Sequence, residues 1–292
     1  MQNVTPAAVV AFVMELAPAV AFGFAAERIA RFIQRWPVAL RLCFPSVCVV
    51  PYVLISVSAH IVRWHWFALY FALPVVIAWL LERAAAADPE QHGNWRDAII
   101  LLVLGLSVDL RWLDSAWPSG LQALNKLLLV DMGLYGFLAI RQLRGVGFDF
   151  HLRWRDWKTG LRELVFFTPL VLILGVALGF IHPHTNRPQV NTAVLRWLLI
   201  FLFTALPEEL FFRGWVQNQL ERRVGRRMAL AIASALFGLS HFNKRAAHFN
   251  WRYVLLAAIA GIFYGRAWRE HRRVAASTIT HASVDWIWGL WF

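Results

Sequence analysis

Ten apolar segments run through the sequence, and they constrain its fold more than any other feature. An α-helix needs about 20 mostly apolar residues to cross the hydrocarbon core of a bilayer. The fourth segment and the last three are short, so the sequence predicts an all-α, polytopic transmembrane helical bundle of about eight to ten spans. The segments cover approximately residues 6–24, 43–60, 65–82, 97–111, 120–140, 163–182, 194–219, 228–243, 253–268 and 274–291.

Composition agrees with a membrane protein and excludes several other classes. Of the 292 residues, 59% are hydrophobic and 16% are charged, whereas soluble domains carry about 25% charged residues. These proportions exclude an ordinary cytosolic enzyme, a disordered chain and a disulfide scaffold. The first apolar segment has no Lys or Arg before Arg28, so we expect a retained span rather than a cleaved secretory signal.

The formal charge of +12, from 29 Lys and Arg against 17 Asp and Glu, is explained by where the basic residues lie. Twenty of the 29 follow the odd-numbered segments, and six lie in the alternate loops. Because cytoplasmic loops are enriched in Lys and Arg, we expect the odd-numbered loops to be cytoplasmic and both termini to be non-cytoplasmic. No soluble domain is predicted that could carry a nucleic-acid footprint, so no nucleic-acid partner is expected.

The seventh segment contains charged residues that a membrane span normally excludes. A charge in the hydrocarbon core is costly, so such residues usually face the bundle interior and serve a function. Glu209 and Arg213 are four residues apart, which predicts an ion pair on one helix face. Glu208 projects about 100° away around the same helix, and Pro207 predicts a kink beside it.

Two further segments contribute histidines with partners at the same spacing. In the eighth segment Phe237 and His241 are four residues apart, so the phenyl ring can pack against the imidazole. In the tenth segment His281 and Asp285 project from one helix face. Carboxylates and imidazoles together in an apolar bundle favour general-base hydrolysis, although the same groups are ligands of zinc and components of proton relays.

The ninth segment lies between the two that contain these histidines, and it carries the motif Gly261–Gly265. Small residues four apart let helix backbones approach each other closely. We therefore expect close helix packing at this motif, which would help to gather side chains from the neighbouring segments into one site.

The three charged patterns together resemble the CAAX-protease and bacteriocin-processing family of intramembrane endopeptidases. EELFFR, FGLSH and HASVD match the family motifs EExxxR, FxxxH and HxxxN/D, and they occur in the same order. The resemblance covers about residues 190–292. It implies an intramembrane protease core in residues 191–292, formed by the last four helices. Residues 1–190 would then be N-terminal transmembrane helices of unknown role.

The resemblance also implies a role for each candidate residue. Glu208 would activate the catalytic water, and His241 would help to orient that water. His281 and Asp285 would polarise the scissile carbonyl and stabilise the oxyanion. Supporting positions would be Glu209, Arg213 and Phe237.

The sequence departs from the commonest family pattern at Asp285, where Asn is frequent. Asn can donate a hydrogen bond to an oxyanion, whereas an ionised Asp would repel it. Asp285 would therefore be protonated, orient His281 or bind a metal. Family members are described both as glutamate proteases and as zinc enzymes, so no cofactor is certain, and zinc or another divalent metal is the alternative. The ligands of that metal would be Glu208, His241, His281 and Asp285.

The function predicted from these features is hydrolysis of a peptide bond by glutamate- and histidine-activated water. The task would be CAAX-type or peptide-maturation processing, with a membrane-anchored protein or peptide and the lipid bilayer as partners. The resemblance implies a bacterial cytoplasmic (inner) membrane. Two alternatives stay open, namely a catalytically silent membrane scaffold or immunity protein of the same family, and a proton-coupled transporter.

Overall fold

The computed structural model describes residues 5–182, 190–244 and 248–292. Within these residues the chain forms ten helices, one for each predicted apolar segment, and no strand. The predicted all-α polytopic bundle is thus confirmed. The helices are α1 (Pro6–Gln34), α2 (Val38–Ser58), α3 (Trp64–Ala87), α4 (Trp95–Asp109), α5 (Ala123–Ile140), α6 (Trp154–Ala177), α7 (190–224), α8 (Arg226–Leu239), α9 (Trp251–His271) and α10 (Val274–Trp291).

Five of the described helices, α1, α2, α3, α5 and α6, are long and apolar enough to cross a membrane. The bilayer core offers no water to backbone N–H and C=O groups, and a helix satisfies these groups within its own segment. Helices α4 and α8 have 15 and 14 residues, which is shorter than a full span. The chain is therefore an integral membrane protein that combines spanning helices with shorter ones.

The chain folds as two compact units, Met1–Arg144 and Gly145–Phe292. The first contains α1 to α5 and an ion cluster around a buried arginine that follows α5. The Nη2 of Arg141 donates to Asp88 Oδ2 at 2.6 Å, and its Nε donates to Asp97 Oδ1 at 2.9 Å. These bonds tie the end of α5 to α4 and to the loop that precedes α4.

The second unit contains every candidate site residue and is built from α6 to α10. Phe237 and Tyr264 are buried in its core, which also includes small alanine side chains. Gly261 lets α9 approach α8 closely, because a Cβ there would lie 3.0 Å from the Cα of Ser234. The close packing predicted from the Gly261–Gly265 motif is therefore present.

Arg273 anchors the start of α10 to the first turn of α6 and to the segment before it. Its Nε donates to Asp156 Oδ1 and its Nη1 donates to Asp149 Oδ2, both at 2.7 Å, while its Nη2 donates to the carbonyl of His151. Partial burial by itself would raise the pKa of Asp149, but the bonds from Arg273 and from the His151 N–H lower it to about 2. Asp149 therefore stays ionised near neutral pH. Its bond with Arg273 helps to hold the start of α10, the helix that contains His281 and Asp285, in place.

Helix α7 changes its hydrogen-bond pattern around the candidate glutamates. The α turn Leu206–Glu209 lies between two π-helical stretches, Phe201–Ala205 and Leu210–Gln217. The residues on both sides of this turn keep helical φ and ψ angles, so the helix continues through Pro207 instead of breaking there. In the π stretch before it, the donors already bond to acceptors five residues back, so the N–H that Pro207 lacks does not interrupt a regular α ladder.

Candidate active site

Helices α7 and α10 bring the carboxylates of Glu208 and Asp285 close to the imidazole of His281, so three of the four predicted catalytic side chains lie together. The Nε2 of His281 lies 3.9 Å from Glu208 Oε2 and 3.6 Å from Asp285 Oδ2. The His281 side chain is 3% exposed, whereas those of Glu208 and Asp285 are 16% and 32% exposed. A buried imidazole therefore faces two carboxylates that remain accessible from outside the core.

Glu209 fixes the other side of the same imidazole. Its Oε1 lies 2.8 Å from His281 Nδ1, and its Oε2 lies 3.2 Å from Arg213 Nε. The predicted ion pair between Glu209 and Arg213 is thus present, and both side chains are fully buried. An ionised carboxylate can only accept hydrogen bonds, so Nδ1 of His281 carries a hydrogen and Nε2 is directed to the open side of the site.

Arg213 has two kinds of contact in addition to its carboxylate partner, a hydrogen bond and contacts with aromatic rings. Its Nη2 donates to the carbonyl of Gly261 at 3.0 Å. The guanidinium carbon lies 4.6 Å from the ring centroid of Phe237 and 5.4 Å from that of Tyr264. Because a cation is attracted to the face of an aromatic ring, these contacts stabilise a charge that has no access to solvent.

His241 lies in the turn after α8, which ends at Leu239, and so the predicted helical span 228–243 is too long. Carbonyls in the last turn of a helix lack intrahelical partners. The carbonyl of Phe237 accepts from the Ser240 hydroxyl at 2.8 Å and lies 2.9 Å from His241 Nδ1. Nδ1 must donate in this contact, so a neutral His241 presents Nε2 as a hydrogen-bond acceptor.

Aromatic rings hold both histidines. Phe237 packs against His241 as predicted, with ring centroids 4.9 Å apart, and its edge-on contact with His281 is 5.5 Å. Tyr264 stacks on His281 at 4.6 Å with an interplanar angle of 15°, and Tyr253 contacts His241 at 4.8 Å. The two tyrosines were not predicted. The available signal for Tyr264 was its position inside the small-residue motif, at the close helix contact.

An apolar cavity of about 50 Å³ borders three of the four predicted catalytic residues. His241, His281 and Asp285 contribute its polar groups, and most of the remaining wall is aliphatic or aromatic, including Phe180 and Trp288. Ligand pockets commonly combine a mostly apolar lining with a few placed polar groups. The cavity therefore has the character of a binding site for an apolar segment, with reactive groups at the same place.

The arrangement does not by itself form a metal centre. Among the described residues, no group of three His, Cys, Asp or Glu side chains is placed to hold a metal ion. The Nδ1 of His281 is occupied by Glu209, which leaves one ring nitrogen for any ligand. A zinc or other divalent site formed by Glu208, His241, His281 and Asp285 stays a prediction.

Comparison with known families identifies the same part of the chain. Residues 189–287 match the family model described as type II CAAX prenyl endopeptidase Rce1-like. The match extends from the start of α7 into α10, so it includes all seven candidate residues. Neither a curated protein nor a solved structure gave a significant match. Residues 189–287 are therefore similar to the type II CAAX prenyl endopeptidases, which confirms the resemblance predicted from the three motifs.

Proposed function

We propose that this protein is an intramembrane endopeptidase that hydrolyses a peptide bond in a membrane-anchored protein or peptide, in CAAX-type or peptide-maturation processing. The observation that carries the proposal is the convergence of Glu208 and Asp285 on Nε2 of the buried His281, beside an apolar cavity. The family match supports an endopeptidase in general and a membrane-associated substrate.

In the proposed mechanism Glu208 is the general base. Its carboxylate takes a proton from water, and the water oxygen attacks the scissile carbonyl carbon. His241 orients the water, because Nδ1 is bonded to the Phe237 carbonyl and Nε2 can accept a hydrogen bond from that water. Glu208 then delivers the proton to the amine nitrogen as the C–N bond breaks.

His281 and Asp285 would stabilise the oxyanion of the tetrahedral intermediate. The bond from Nδ1 to Glu209 and the stack on Tyr264 set the orientation of the His281 ring. Because Nδ1–H already donates to Glu209, Nε2 can donate as well only when His281 is protonated on both ring nitrogens. In that form its Nε2–H, on the cavity side, would donate to the developing oxyanion. Donors fixed in this way need no reorganisation during the reaction, which is the condition for strong electrostatic stabilisation.

The proposed substrate is a peptide segment adjacent to lipid, because the cavity walls are mostly aliphatic and aromatic. The proposed location is a bacterial inner membrane with both termini non-cytoplasmic. The support for this orientation is that 20 of the 29 basic residues follow odd-numbered apolar segments.

Terminal-peptide mass spectrometry of membranes that contain wild-type protein or the Glu208→Gln variant tests the proposal. We expect at least one membrane peptide to accumulate uncleaved with the variant, because the base that activates water is lost. A set of peptide ends that is identical in the two membranes would favour the silent scaffold. A solute or proton flux that depends on Glu208, without any cleavage, would favour the transporter.

Replacing Asp285 tests the nature of the oxyanion contact. Asn keeps the shape of Asp and adds a donor, so we expect Asp285→Asn to keep most of the cleavage rate. A protonated Asp285 would be an oxyanion-hole donor, so we expect Asp285→Ala to lower kcat by about 100-fold, as is typical when one such donor is removed. Initial rates of the two variants measure this difference. An equally large loss of rate in Asp285→Asn and Asp285→Ala would show that the negative charge, which both variants lack, is needed.

Chelation tests the metal alternative. We expect cleavage by the purified protein to survive dialysis against a chelator, because the proposed steps use side chains alone. Elemental analysis of the same samples measures bound zinc and other divalent metals. Loss of cleavage on dialysis, with recovery when stoichiometric zinc is added back, would favour the predicted metal site at Glu208, His241, His281 and Asp285 instead.

A further inference from the structure

A column of buried polar side chains runs along α7 away from the candidate active site. Glu209, Arg213, Gln217 and Glu221 are spaced four residues apart, and all four are buried. In a regular α-helix each four-residue step turns about 40° beyond a full turn, so three steps would carry the last side chain about 120° around the axis. The π-helical stretch Leu210–Gln217 has wider turns, which offset this rotation. Arg213 and Gln217 both donate to carbonyls of α9.

The column connects the site to a partly exposed residue. At the site end, Glu209 bonds to His281 at 2.8 Å. At the other end, the Glu221 carboxylate accepts from Arg272 Nη2 at 2.7 Å and from Gln217 Nε2 at 3.3 Å. The Arg272 side chain is 39% exposed. Polar groups therefore extend without a large apolar interval from the imidazole to the surface of the unit.

The middle of the column contains buried polar atoms that lack a hydrogen-bond partner among the described residues. Arg213 and Gln217 donate to the carbonyls of Gly261 and Gly265, but Arg213 Nη1 and Gln217 Oε1 have no such partner. The hydroxyl of Ser234 also lacks a hydrogen-bond partner among the described residues. The backbone of Ser234 packs against Gly261. Each buried polar group without a partner costs about 1–3 kcal/mol, and proteins commonly satisfy such groups with bound water.

We infer that this column binds a chain of water molecules linking the Glu209–His281 pair to the aqueous phase at the Arg222–Arg223 end of α7. The wall of the apolar cavity includes none of Arg213, Gln217 or Ser234, so this is a second, separate route to the site. Hydrolysis consumes one water per bond, and a peptide that fills the cavity displaces water from it. The inference concerns the resting protein and does not require the proposed function to be correct.

Hydroxyl-radical footprinting of a matched pair of cysteine variants tests the inference. Ser234→Cys is nearly isosteric and lies on the column, whereas Ala233→Cys is on the same helix, equally buried, and replaces an apolar side chain. Both are made in a background in which Cys43 and Cys48 are serine, with the full chain in lipid nanodiscs. X-ray pulses generate radicals from local water, and mass spectrometry counts oxidation of the introduced thiol.

We expect oxidation of the Ser234→Cys variant to be about tenfold faster than that of the Ala233→Cys variant, because buried waters lie beside it. Adding Gln217→Leu to the Ser234→Cys variant should slow the oxidation, since one polar wall of the column is then removed. Equal rates for the two thiols would overturn the inference, and so would a rate that Gln217→Leu leaves unchanged. Peptidase activity does not enter either readout, so failure here is distinguishable from failure of the proposed function.

Discussion

Replacing Glu208 with glutamine should eliminate nearly all peptide-bond cleavage and leave the protein folded. Glutamine keeps the size of the side chain but cannot take a proton from water, and general-base catalysis contributes about 10²–10⁴-fold to a rate. We therefore expect kcat to fall by about 10³-fold. The side chain is partly exposed and lies 3.9 Å from His281, so the melting temperature should change little. Initial rates and thermal unfolding in the same lipid environment measure both quantities.

Glu270→Gln provides a control for loss of a carboxylate in the same unit. Glu270 lies on α9, is one-third exposed and pairs with Arg162 rather than with any candidate residue. We expect the cleavage rate of the Glu270→Gln variant to stay close to that of the wild type. Normal cleavage by Glu208→Gln would rule out the proposed base, and an equal loss in both variants would point to a general effect of charge.

Breaking the ion pair between Glu209 and Arg213 should have the largest effect on stability. Both side chains are fully buried, and removal of one partner of a buried pair leaves an uncompensated charge that costs about 3–5 kcal/mol. We expect Glu209→Ala and Arg213→Ala each to lower the free energy of unfolding by about this amount. Thermal or denaturant unfolding in lipid or detergent measures the loss.

The double variant Glu209→Leu with Arg213→Met separates stability from chemistry. Replacing both partners of a buried ion pair with apolar residues is often neutral for stability, so we expect the double variant to regain much of the lost free energy. Cleavage should not recover, because Nδ1 of His281 has lost its acceptor and the ring orientation is no longer fixed. Full recovery of cleavage would show that Glu209 serves only to neutralise Arg213.

The helices could be predicted from the sequence because few backbone conformations satisfy their own hydrogen bonds inside a bilayer. Each predicted apolar segment corresponds to a helix of the structure, since apolar runs of this length satisfy their backbone groups only as helices. The end of α8 was predicted wrongly. The apolar segment was extended past Phe242, but the turn that holds His241 begins after Leu239. In that turn the Ser240 hydroxyl and the His241 imidazole both bond to the carbonyl of Phe237, which lacks a partner within the helix.

Part of the candidate site could also be predicted, namely the contacts between residues four apart on one helix. The pairs of Glu209 with Arg213 and of Phe237 with His241 are of this kind. The bond from Glu209 to His281 joins residues 72 positions apart, and no local spacing encodes it. The π-helical stretches have no recognised spacing signal either, and they determine which side chains of α7 face α9.

Cleavage by the purified protein in labelled water measures whether Glu208 activates the attacking water. Wild-type protein and the Glu208→Gln variant, each reconstituted in liposomes, are incubated in H₂¹⁸O with a peptide that ends in a prenylated CAAX sequence, and the products are analysed by mass spectrometry. We expect a cleaved peptide with one ¹⁸O in its new carboxylate for the wild type and almost none for the variant. Equal amounts of product from both proteins would exclude Glu208 as the general base, because water activation by Glu208 would then not be required.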